Sequence, residues 1–325
     1  MGRTMTRSYR KGTVADEGFA VSKVSEQLGQ ADTIVWVDLC NPDPDQLHEL
    51  AAELGLHELA VEDALGPHQR PKLDRYSTHL FLSTHAVRVD TGQGKLVEIE
   101  IDAFISPQWL ITVREDDAFS MQAVVQRWDR SPDLVADGVG FLLYGLLDVV
   151  VDSYFDAVQV FDDYFDEISE EIFSEHPLEP GQQRHWFNMR RALVRFHRLA
   201  VPMREAVSSL MRREQSAVAE NLYPYFQDVY DHILRISESS DSLRDLVSTI
   251  VETNLSVRDY RENLIVKKVS SWAAIIAVPA LITGYFGMNV PFPGTQEPWG
   301  AVVSGLLVIG APIGLYVLFR RRNWL

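Results

Sequence analysis

Val269–Met288 reads VSSWAAIIAVPALITGYFGM and Trp299–Phe319 reads WGAVVSGLLVIGAPIGLYVLF, neither with a single charged residue. Each run holds about 20 residues, or roughly 30 Å as a helix, which matches the hydrocarbon thickness of a bilayer. Two such runs in succession predict a membrane hairpin rather than two core helices. Lys267 and Lys268 precede the first run, and Arg320, Arg321 and Arg322 follow the second. The link, 289–298, carries no Lys or Arg. The positive-inside rule then places both termini in the cytoplasm and the link outside, in an inner membrane crossed twice. Tyr285, Phe286, Trp299 and Trp324 fall near the span ends, as interfacial aromatics do. The upstream apolar run Phe141–Val151 is shorter and interrupted by Asp148, so it reads as a core helix.

Working upstream from the first span, Tyr225–Val278 contains no Gly and no Pro. Ile236, Leu243, Ile250, Val257 and Leu264 recur every seven residues there. That spacing belongs to a helix packed lengthwise against other helices. The pattern runs into the span without a break, predicting one helix from near Tyr225 to near Phe286, on the order of 90 Å long. Ser240, Asn254 and Arg261 occupy the alternate heptad position, which argues against an ordinary two-stranded coiled coil.

The remaining chain reads as an α/β cytoplasmic domain followed by helices. Residues 1–20 read as a flexible tail, and 21–130 as the α/β part. Thr33–Leu39 is rich in β-formers, and Asp43-Pro44 with Gly55 brackets a helix. Strands near His79–Arg88 and Lys95–Ser106 flank the turn Thr91–Gly94, and Trp109–Arg114 pairs back. Residues 131–221 read as an acidic helical part, 222–288 as stalk plus first span, 289–298 as the outer link, 299–319 as the second span and 320–325 as a basic tail. Across all 325 residues, 46 acidic side chains face 30 Lys and Arg, a net charge of −16. A basic face for nucleic acid is therefore not expected. Cys40 is the only cysteine, so neither an internal disulfide nor a cysteine zinc site forms.

Two helices cannot enclose a pore, so transport requires an oligomer. Ser270, Ala273, Ala277, Ala280 and Gly284 are all small and share one helix face. Such a stripe permits close helix packing, and equally lines a narrow conduit. Asn263 before it and Asn289 after it place neutral amides at both ends. Mg2+ gives up its waters reluctantly. A ring of amide oxygens accepts hydrogen bonds from those waters without stripping them, whereas carboxylates bind more strongly and release more slowly.

Gly287-Met288-Asn289, after Tyr285-Phe286 and before the last apolar helix, resembles the Gly-Met-Asn signature of CorA-type magnesium transporters. His57–Leu65 and Gln69–Asp74 are similar to that family's soluble-domain signature, Gln227–His232 to the start of its stalk, and Arg320–Leu325 to its basic tail closing in Trp-Leu. The resemblance implies a homopentamer that passes Mg2+, with Co2+ and Ni2+ as secondary ions. Gly287, Met288 and Asn289 would form the outer selectivity ring. Asn263, Val266, Val269, Ala273, Ala277, Ala280 and Gly284 would lie along the pore, with Glu252 at its cytoplasmic funnel and Arg320–Arg322 as a basic ring. It also implies regulatory Mg2+ sites between subunits, with Asp228 as one ligand and Asp90 as a partner. Departures are the outer loop Val290–Glu297, in place of Met-Pro-Glu-Leu, and Ala280 where Thr is common. A Zn2+ transporter on the same scaffold is one alternative, which Met288 disfavours. A membrane-tethered enzyme or sensor is another. No phosphate-binding loop, paired-His motif or serine elbow supports an enzyme. His79 and His85 read as packing residues.

Overall fold

The computed structural model describes residues 3–66, 70–171, 180–213, 219–288, 293–294 and 297–325. It divides into two compact units, 1–248 and 249–325.

The first unit is built on a seven-stranded sheet of order β2-β1-β3-β7-β6-β5-β4. Its strands are β1 (Arg3–Arg10), β2 (Thr13–Glu17), β3 (Thr33–Cys40), β4 (Lys72–Arg75), β5 (Leu80–Asp90), β6 (Lys95–Ile105) and β7 (Trp109–Arg114). Only β3 and β7 pair in parallel; every other neighbour is antiparallel. On one face lie α1 (Val24–Leu28), α2 (Pro44–Leu54) and α3 (Glu58–Leu65). They close a core of Val35, Val37, Leu39, Leu47, Leu50, Phe81, Phe104 and Ile111. Helix α2 starts and stops for local reasons. The Asp43 carboxylate accepts from the Asp45 N–H at 3.1 Å, and Gly55 ends the helix at φ 69°, a conformation that favours glycine.

The tail expected over 1–20 is instead a β-hairpin. Residues 3–10 of β1 pair along their whole length with β3, and Thr6, Arg7, Ser8 and Tyr9 are buried. Arg7 is a charged side chain within this buried stretch. Its charge is answered by Asp129 at 2.7 Å and Glu17 at 3.2 Å, so it can be buried in a sheet. Lys11 and Gly12, at φ 49° and 82°, make the two-residue turn between β1 and β2, the left-handed geometry hairpins prefer.

Helices α4 (Met121–Asp129), α5 (Pro132–Val135), α6 (Val139–Glu171), α7 (Pro180–Arg213), α8 (Tyr223–Phe286) and α9 (Pro298–Arg321) follow. The run Phe141–Val151 is core helix: Phe141, Leu142, Leu143, Leu146, Leu147, Val150 and Val151 are all buried. In the first unit α8 buries Phe226, Val229, Ile233, Ile236, Ser240, Leu243 and Val247, alternating three and four residues apart. That is a coiled-coil seam. The polar Ser240 fits it because its hydroxyl meets His197 Nδ1 of α7 at 3.1 Å. Burial and the Arg244 cation together lower the His197 pKa, so the imidazole sits neutral against that hydroxyl.

The second unit contains the distal part of α8 and all of α9. Their most apolar 18-residue windows have mean hydropathies of 1.6 and 2.3, and only 6% and 0% of those residues are buried. Bare apolar helices of spanning length belong in lipid or against other chains. Trp272 and Tyr316 bring the two helices into ring contact at 6.5 Å.

Candidate ion path and metal cluster

Within the second unit α8 has two contrasting faces. Leu264, Ser271, Ile275, Val278, Ile282 and Phe286 are buried or half-buried. They recur at helical spacing, as do the half-buried Ser304, Val308, Ala311, Leu315 and Phe319 of α9. On the opposite side Asn263, Val266, Ser270, Ala273, Ala277, Ala280 and Gly284 step three and four residues apart, and every one is exposed. Val269 and Glu252 are exposed on the same side. The residues expected along a pore therefore form one continuous face that a single chain leaves uncovered.

The chemistry of that face suits a hydrated cation. Asn263 Nδ2 donates to the Asp259 carbonyl at 3.0 Å, which leaves its amide oxygen as the outward acceptor. Beyond Asn263 the stripe offers small apolar surface and no charge until the helix ends. At that end the Gly287 N–H donates to the Thr283 carbonyl at 2.9 Å, and the Met288 N–H to Tyr285 at 3.3 Å. A Cβ on Gly287 would approach the Thr283 oxygen at 3.0 Å, so glycine permits this tight stop. Met288 is exposed, and Asn289 lies outside the described residues. At the end of α9, Arg320, Arg321 and Arg322 are all exposed. Trp324 stacks on Phe319 at 5.6 Å, folding the basic tail back on the helix.

The first unit holds a second constellation. Asp148 of α6 with Asp228 and His232 of α8 place ligand atoms within 4.8 Å of one another. Asp228 and His232 are one helical turn apart, with Oδ1 and Nε2 at 3.7 Å. Asp148 is buried and ion-paired to Arg127, which also reaches Asp152 at 3.2 Å. The His232 ring is set edge-on to Phe155 at 5.2 Å. Two carboxylates and an imidazole make a donor set for a divalent ion; the imidazole favours Co2+, Ni2+ or Zn2+ more than Mg2+. Arg127 must yield part of its hold on Asp148 when a cation enters.

Asp90 is placed otherwise. Its Oδ1 accepts the N–H groups of Gly92 and Gln93 at 3.0 and 3.1 Å, closing the β5–β6 turn. Among the described residues, the group around Asp228 does not include it. Sequence reasoning singled out neither Asp148 nor His232 as a ligand. The signal for His232 was present in the i, i+4 spacing with Asp228. Asp148 gave none, because its place in an apolar run marked it only as an interruption.

A soluble α/β unit, a continuous helix leading into the first of two apolar spans, and an uncovered neutral face define a membrane protein of the ion-transport class. Comparison with known proteins gives the family. The profile of the CorA-like Mg2+ transporter protein family matches residues 31–321, and the chain belongs to that family. The cobalt/magnesium transport protein CorA of Thermotoga maritima is 27% identical over 299 residues, spanning 91% of this chain and 84% of that protein. The putative metal ion transporter YfjQ of Bacillus subtilis is 28% identical over 301 residues, spanning 92% of each. Among solved structures, the complete CorA magnesium transporter from Methanocaldococcus jannaschii matches with a TM-score of 0.76 at 19% identity, over 99% of this chain and 98% of that one, which shows a shared fold.

Proposed function

We propose that this chain is the subunit of a homopentameric, channel-like pathway for Mg2+ influx, with Co2+ and Ni2+ as lesser cargo. The uncovered stripe from Asn263 to Gly284 carries the reading. Five such faces turned inward enclose a narrow neutral conduit, and the half-buried faces turn toward α9. Gly287, Met288 and Asn289 stand at its outer mouth, and the termini and the first unit lie on the cytoplasmic side, where Arg320–Arg322 meet the inner leaflet. Hydrophobic rings at Val266 and Val269 gate by dewetting. A neutral path conducts because it holds a hydrated ion loosely enough to release it. Reconstitution in liposomes loaded with a Mg2+-sensitive dye tests this directly. Influx above that of empty liposomes is expected. Influx of Zn2+ alone would move the assignment to the zinc alternative, and silence for every divalent ion from a folded oligomer would overturn transport.

In this reading Asp228 contributes to a cytoplasmic Mg2+-sensing site at the boundary with a neighbouring subunit, whose Asp90 is its partner, and Asp148 and His232 flank Asp228 within the chain. Bound cation offsets carboxylate charge and favours the closed state, and its loss lets the acidic units separate. The Asp228→Asn chain is expected to need on the order of tenfold more internal Mg2+ to shut influx, the usual scale for a damaged metal site. An unchanged inhibition curve would remove Asp228 from the sensor.

A further inference from the structure

Beyond the end of α3 the core face of the sheet turns from apolar to acidic. Phe104, Asp102 and Glu100 alternate onto one face of β6, opposite Phe81, Ser83 and His85 of β5. The helices cover the phenylalanines. Over Asp102 and Glu100 a cleft of about 350 Å³ opens instead, bounded by Asn41 after β3, Leu65 and Gly66 at the end of α3, and Glu115 after β7. It lies past the C-terminal ends of the parallel pair β3–β7, where α/β sheets collect ligands.

Asp102 is the telling residue. It is 3% exposed, and among the described residues its Oδ1 has no hydrogen-bond partner. A buried carboxylate oxygen without a donor is held in an unfavourable place unless something else answers it. The cations beside it are committed elsewhere. Arg114 serves Asp38, Asp117 and the carbonyls of Asp116 and Phe119. Lys72 bridges Asp63 at 2.6 Å and Asp74 at 2.9 Å. Glu98, next on the same strand face, is ion-paired to Arg195 at 2.8 Å.

We propose that this cleft binds a hydrated hard divalent cation, with Asp102 and Glu100 as its floor and Glu115 at its rim. The carboxylates supply hard oxygen donors, which suit Mg2+ or Mn2+. Among the described residues, only the Asp148 group brings ligand atoms within 4.8 Å of one another, so these three carboxylates hold the ion through its waters. The cleft is large enough to keep such a shell. This site is separate from the Asp228 cluster and does not depend on transport.

Protonation competes with the cation. Burial, then Glu100 and Asp63, push the Asp102 pKa up to about 8, against the opposing pull of Ser83 and Lys72. Below that pH the carboxyl is neutral, and the entering cation displaces one proton to solvent. Among the described residues, His85, whose Nε2 lies 4.0 Å from a Glu100 carboxylate oxygen, and Glu115 at the rim are further titratable groups nearby.

Mn2+ binding to the full-length chain in detergent, counted by EPR in an Asp228→Asn background, tests the site. One Mn2+ per chain is expected to be lost in Asp102→Asn, which mimics the protonated acid and so should fold. Glu115→Gln, a change at the exposed rim, should weaken the same site. Identical Mn2+ binding in all three chains would overturn the proposal and leave Asp102 a buried neutral acid. Should Asp102→Asn fail to fold, an unchanged Glu115→Gln curve would overturn it alone.

Discussion

Liposomes carrying the Ala277→Leu chain should admit Mg2+ at least about tenfold more slowly than wild type, and those carrying Asn289→Ala should lose influx altogether. Ala277 is exposed in the single chain, so the larger side chain meets no neighbour there and should leave the subunit's folding unchanged. Its effect arises only when copies assemble with this face inward, where each leucine narrows a shared conduit. Ile275→Leu is the matched control. Ile275 lies on the half-buried face, and a volume-conserving apolar swap there should leave influx near the wild-type rate. Asn289→Ala removes the amide oxygen proposed for the outer mouth and adds no bulk. Its loss of influx would therefore report lost ion handling rather than blockage. The pore assignment fails if Ala277→Leu conducts normally, or if Ile275→Leu is the more damaging change.

The two apolar helices and the long helix before them were legible in the sequence because their signals are long and unbroken. A charge-free run of spanning length has few alternative readings, and a seven-residue repeat without Gly or Pro has fewer. Helix α2 was legible for a local reason, since Asp43-Pro44 and Gly55 act within one turn of the backbone they stop. The β1–β2 hairpin was not legible. Its burial depends on Arg7 meeting Asp129, a residue 122 positions away, and no local pattern reports such a partner. The same limit hid Asp148 from the metal cluster. Its neighbours in sequence are apolar, and only the packing of α6 beside α8 brings it to Asp228 and His232. Asp90 was named through the resemblance as a ligand facing a neighbouring subunit, and within the chain its Oδ1 accepts the Gly92 and Gln93 amides.

Arg114→Met should destabilise the first unit by about 3–5 kcal/mol, because it strands a buried carboxylate without its counter-ion. Arg114 and Asp38 are each 1% exposed at the side chain. Arg114 Nε reaches both Asp38 oxygens at 3.1 Å, and Nη2 reaches Oδ2 at 2.9 Å. Thr112 Oγ1 donates to Asp38 at 2.8 Å and in turn accepts from Trp36 Nε1 at 3.2 Å. Nη1 of Arg114 also binds the carbonyls of Asp116 and Phe119, both at 3.0 Å, so the same guanidinium ties down the chain after β7. Methionine fills much of the volume but supplies none of these donors. The predicted loss is a large fraction of a typical domain stability of about 5–15 kcal/mol. Most of it should return in the double variant Asp38→Leu/Arg114→Met, since an apolar pair of similar volume removes the uncompensated charge along with the bond. Urea unfolding of the full-length chain in detergent, followed by tryptophan fluorescence, separates the two contributions. A single variant within about 1 kcal/mol of wild type would mean that Asp38 takes up a proton at little expense and that the pair stabilises no more than an exposed one does. A double variant as unstable as the single would instead assign the loss to the freed 115–119 segment, not to the stranded charge.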